Sequence, residues 1–85
     1  MSKKFEVKVY YGDVVCTIDD LPNIRDAVVA GLHKFDELIH VLKGGEPHMT
    51  VWDYTGSTAS YVYYGIRIYK NEPVIVYVQD NLNEQ

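Results

Sequence analysis

Two constellations in this 85-residue chain hold side chains of the kinds that do chemistry. His33, Asp36, Glu37 and His40 recur at three- and four-residue spacing, so on a helix His33 with Glu37, or Asp36 with His40, reaches toward one ion. The two histidines are seven residues apart, about 10.5 Å along a helix axis, too far for both to ligate one ion at ordinary bond lengths. The mixed charges around them are those of a solvated helix face, and no metal site is expected. His48, Asp53, Ser57 and Ser60 are residue types of acyl transfer, but no nucleophile-elbow motif surrounds either serine. Gly56, Ser57 and Thr58 lack the following lysine and helix of a phosphate loop. Cys16, the one cysteine, reads as a small core hydrophobe. The chain therefore reads as a non-enzyme, with no catalytic residue and no cofactor expected.

What must position any binding surface is a helix over Asn23–Lys43, the one stretch whose apolar residues keep helical spacing for several turns. Ile24, Val28, Gly31, Leu32, Phe35, Leu38, Ile39 and Leu42 form its stripe. Asn23 with Asp26 three residues on, or equally Asp20 with Pro22 in the first turn, can start it, and Gly44 and Gly45 stop it ahead of Pro47. Gly31 on the stripe costs about 1 kcal/mol against Ala, which fits a close approach of the helix to a sheet.

Around the helix the pattern switches to alternation. Lys4–Tyr11 puts Phe5, Val7, Val9 and Tyr11 on one side, and Gly12 with Asp13 makes a two-residue turn. That turn sets Tyr11 opposite Val14, Val9 opposite Cys16 and Val7 opposite Ile18, so turn and apolar face agree. His48–Tyr54 is a weaker third strand, Thr55–Ser60 a small-residue loop, and Tyr61–Lys70 and Pro73–Gln79 two further strands. For the last pair a three-residue loop keeps Val62, Ile66, Ile68, Val74, Val76 and Val78 on one buried face. The expectation is one α+β domain over residues 1–85, in the order ββαβββ, with one long helix packed on one face of a mostly antiparallel five-stranded sheet. Residues 1–3 and 81–85 are expected to fray.

One helix leaves the other face of the sheet uncovered. The alternation places Tyr61, Tyr63, Arg67, Tyr69, Ile75 and Tyr77 there, joined by Tyr10 and Val15 from the first hairpin. The chain has eight Tyr against two Phe and one Trp, so nearly every ring carries a polar tip suited to a half-wet surface. Aromatics and Arg are enriched at binding hot spots, and four half-exposed rings already reach the few hundred Å² that mark an interaction patch. Tyr61, Tyr63, Arg67, Tyr69, Tyr77 and Tyr10 are therefore the expected binding residues.

Bulk properties narrow the class of partner. A net charge of -4 disfavours nucleic acid, and no apolar run approaches the length that spans a bilayer. A lone cysteine and an N-terminus without a signal-like apolar run point to the cytoplasm. The expected function is that of a small acidic protein-binding protein of inhibitor, adaptor or immunity type. In bulk properties it is like many phage- or mobile-element-encoded inhibitors, and it would act through the aromatic face or an open strand edge on another protein or on a second copy as a homodimer. The alternative is a small-molecule-binding homo-oligomer with an interfacial pocket.

Overall fold

The structure, a computed structural model, describes residues 4–41 and 45–83, with the backbone alone for 80–83. Its elements are β1 (Phe5–Tyr11), β2 (Val14–Leu21), α1 (Ile24–Leu38), β3 (His48–Asp53), β4 (Ser60–Tyr69) and β5 (Glu72–Asn83). Every neighbouring pair of strands is antiparallel, in the order β2-β1-β3-β4-β5. The expected α+β architecture, a single helix on one face of a five-stranded sheet, is what the chain adopts.

The first hairpin has the register its turn dictates: Tyr11 faces Val14, Val9 faces Cys16 and Val7 faces Ile18, with Gly12 at φ 61°. Val7, Val9 and Tyr11 are buried beneath the helix, and Cys16 and Ile18 pack half-buried beside them. β3 and β4 add Met49, Val51, Tyr64 and Ile66 to the same side. Phe35 fills the centre of this layer, its ring tilted against Tyr11 at 6.0 Å.

Of the two starts the sequence allows, the helix takes the Asn23 cap, the Asn23 side chain accepting from the Asp26 N–H at 2.8 Å. It ends earlier than its apolar stripe. Ile39 closes the α-helix onto the Phe35 carbonyl, and Val41 bonds Leu38 in a tighter turn. Ile39, His40 and Val41 are all indifferent helix formers, which accounts for the stop before Lys43. Leu42 and the glycine stop at Gly44 lie outside the described residues. The buried line runs through Ala27, Gly31 and Phe35, and Ile24 at its start is exposed. A Cβ on Gly31 would collide with the Met49 sulfur and come within 3.1 Å of Val7 Cγ2, so glycine is what lets the helix lie this close to the sheet.

The second hairpin departs from the expected three-residue loop. Its turn is Lys70–Asn71, both at positive φ (51° and 65°), the backbone that a two-residue primed turn requires. Ile66 accordingly faces Ile75 and Arg67 faces Val74. Ile75 therefore belongs to the helix side and packs against the core, while Val74 lies on the outer face, both opposite to the sequence expectation. An irregularity between the Gly65 and Ile66 pairs places an extra residue, Val76, on β5. This returns Tyr77 to the outer face opposite Gly65, and Val78 to the helix side opposite Tyr64. A second irregularity lies between the Tyr61 and Tyr63 pairs, and β5 continues through Asn83, so 81–83 are strand rather than tail. Residues 1–3, 84 and 85 lie outside the described residues.

Candidate functional site

The strand registers bring the outer-face side chains into rows running across the sheet. One row is Val15, Tyr10, His48, Gly65 and Tyr77; the next is Thr17, Lys8, Thr50, Tyr63 and Gln79. A third holds Glu6, Trp52 and Tyr61. Arg67 lies beyond the first row on β4, and Tyr69 stands at the tip of the second hairpin opposite Glu72.

Because these rows are in register, the rings meet. Tyr10 stacks on His48 with centroids 4.6 Å apart and planes 8° from parallel, and His48 in turn stacks on Tyr63 at 5.4 Å. Tyr63 meets the Tyr77 ring nearly edge-on at 6.1 Å. Gly65 leaves the space over which Tyr77 lies, since a Cβ there would come within 3.2 Å of the Tyr77 Cβ. A second group forms around Trp52, which stacks on Tyr61 at 4.5 Å and on Tyr54 at 6.2 Å. Its indole N–H donates to Thr50 Oγ1, and the Lys8 ammonium lies 5.7 Å from the ring centroid. Packed this way His48 and Trp52 each stack on two rings, Tyr10, Tyr54 and Tyr61 each stack on one, and Tyr77 stays about half exposed.

Five of the six expected binding residues, Tyr10, Tyr61, Tyr63, Tyr77 and Arg67, lie along this face. The sixth, Tyr69, stands apart at the hairpin tip, exposed, with Lys70 over its ring at 5.4 Å. His48, Trp52 and Tyr54 belong to the cluster too. Strand alternation puts His48 and Trp52 on the same side as Lys8 and Tyr10 once β1 and β3 pair, a pairing that periodicity within one strand does not disclose.

Beneath Tyr54 lies Glu6, a carboxylate only 4% exposed although it is on the outer face. It accepts the Tyr54 hydroxyl at 2.8 Å. Burial, then the hydrogen bond and negative charge of Glu6, pushes the Tyr54 phenol up from 10.0 to about 12. Tyr54 is held in line by its backbone N–H, which donates to the Lys4 carbonyl and extends the β1–β3 ladder.

The other constellations do not assemble. His33, Asp36 and Glu37 are exposed on the helix and His40 in the turn that follows it, and Glu37 accepts from Lys34 at 3.1 Å. His48 and Asp53 stand at opposite ends of β3, and Asp53 is engaged by the Thr55 N–H and hydroxyl. No helix of the described residues is long and apolar enough to cross a membrane.

At the end of the sheet where β4 outruns β3, a cleft of about 550 Å³ opens, lined by Tyr11, Pro47, Tyr63, Ile66, Arg67 and Tyr77 among others. It adjoins the aromatic row and shares Tyr63 and Tyr77 with it. The chain matches no protein-family model, no curated protein and no solved structure.

Proposed function

We propose that this protein is a non-enzymatic binding protein that meets another protein through the outer face of its sheet, as an inhibitor, adaptor or immunity-type partner would. The observation that carries this reading is the joined aromatic row Tyr10, His48, Tyr63 and Tyr77, beside the Trp52 cluster, on the face away from the helix. Rings locked against one another lose little entropy on binding, and their polar tips tolerate water before a partner arrives. Surfaces that bind single-stranded nucleic acid or sugars by stacking need free ring faces. Here part of that area is already stacked on neighbouring rings, and the net charge of -4 disfavours a phosphate backbone, so a protein partner fits better.

The test is a pair of substitutions on β4, Tyr61→Ser with Tyr63→Ser. A partner captured from source-cell lysate on the immobilised protein is purified and titrated against both forms. The double variant should keep the far-UV spectrum of the fold and lose at least about 2 kcal/mol of affinity, the hot-spot scale. Unchanged affinity would move the interface to a strand edge.

The cleft beside Arg67 favours a second reading, a small-molecule binder completed by oligomerisation, because its volume falls in the range of about 300 to 1,000 Å³ typical of ligand sites. A rise in melting temperature with a small planar acid, without any protein partner, would support it.

A further inference from the structure

We infer that the partner surface received by the aromatic face is acidic, an inference that rests on the protein-binding reading above and gives that partner its chemistry. The protein as a whole is acidic, with twelve Asp and Glu against eight Lys and Arg. The aromatic rows run against this balance. The charged side chains in them are Lys8 and Glu6, with Arg67 just beyond the first row, and Glu6 is buried under Tyr54. Carboxylates lie around their margins: Glu46, which lines the cleft shared with Arg67, Asp19 and Asp20 where β2 loses register with β1, and Glu72 beside the hairpin turn. On the far side of the molecule the helix carries exposed Asp26, Asp36 and Glu37 against Arg25 and Lys34, the last paired with Glu37.

Arg67 is exposed and makes no ion pair among the described residues, leaving its planar group free for a carboxylate. Lys8 is held over Trp52 with its ammonium at the edge of the ring cluster. Their places in the ladders, two strands and four residues apart, put them about 16 Å from each other, with His48 and Tyr63 between. Two cations flanking an apolar strip suit a segment with carboxylates at both ends of an apolar stretch.

A second copy seated face to face about a two-fold axis would meet the same two cations and supply no central carboxylate to neutralise them. Complementary charge would also speed encounter with an acidic partner, which the rest of this acidic surface would otherwise repel.

Trp52, the one tryptophan, sits in the cluster and reports its occupancy. The full chain is titrated with a Glu/Tyr copolymer, a Lys/Tyr copolymer of equal length and an oligothymidylate, following Trp52 emission. The expected result is a saturable change with the Glu/Tyr copolymer alone, weakened at least tenfold in Arg67→Glu and again by raised salt. Arg67→Gln, which should weaken it less, serves if the charge reversal perturbs folding. Tighter binding of the oligothymidylate, or equal affinity in the wild-type and Arg67 variants, would overturn the inference. If acidic probes fail while Tyr61→Ser with Tyr63→Ser still abolishes partner binding, the acidic assignment falls and the protein-binding face stands.

Discussion

A carboxylate buried on the wet side of a sheet needs a donor, and Tyr54 is one for Glu6. In the folded protein the neutral phenol is favoured, so its proton is held up to about pH 12 while the unfolded chain releases it near 10.0. The unfolded state then binds fewer protons between those values, and stability falls as pH rises through that window. Below pH 10 the contribution is complete. Urea melts of the wild type and Tyr54→Phe should therefore differ most at neutral pH, by about 1.5 kcal/mol for a hydrogen bond to a charged acceptor, and converge as the pH approaches 12. A gap independent of alkaline pH would mean that Tyr54 contributes through its ring on Trp52 and not through its hydroxyl. Gly31 permits a prediction of opposite logic. Ala is the better helix former by about 1 kcal/mol, but Met49 and Val7 are fully buried and have nowhere to retreat from a new methyl. Overpacking wins, and Gly31→Ala should lower stability by about 1 kcal/mol in a denaturant melt.

At the scale of elements, what a turn announces locally was readable and what a bulge conceals was not. Gly12 and Asp13 sit between two alternating runs whose apolar sides match only in one register, so hairpin, register and core face follow together. Lys70 has no side-chain reason to adopt positive φ, and the natural turn residue beside it, Asn71, is compatible with more than one loop. Strict alternation then carried Val74 and Val76 to the core, because an extra residue at Val76 leaves no mark in composition. The outer tyrosines keep their face all the same, since the β4 phase is set by Val62 and Ile66 and the bulge restores Tyr77. His48 and Trp52 are not legible from their own strand because membership of the cluster depends on the β1–β3 pairing, a long-range contact. On the helix, the exposed arc implies that His33→Ala with His40→Ala shifts stability by under about 0.5 kcal/mol. Zinc retained through gel filtration by the wild type, and lost in that double variant, would contradict it.

For the molecule as a whole, the helix protects the sheet unevenly. A helix of 15 residues is about 22 Å long, and it lies chiefly along β1, with lesser contact to β2, β3 and β5. β1 and β3 each have a strand on both sides, and their inward residues Val7, Val9, Met49 and Val51 are essentially inaccessible to solvent. β5 has β4 on one side only, and along it Val74, Val76, Tyr77 and Val78 are all about half exposed. Amides in such an edge open locally, without the global transition that central strands require. In native-state hydrogen exchange the amides of Val7, Val9, Met49 and Val51 should exchange only through global unfolding. Those of Val74 to Val78 should exchange at least a hundredfold faster, in proportion to local openings roughly 3 kcal/mol cheaper. The same experiment on the partner-bound protein locates the interface without mutation. Slowing confined to β3 and β4, under Trp52 and Tyr63, places the partner on the aromatic face. Slowing along β5 means that the partner has added a strand to the edge. Equal protection of β5 and β1 in the free protein would mean that β5 is already covered, and the chain would then have to be an oligomer joined along that strand.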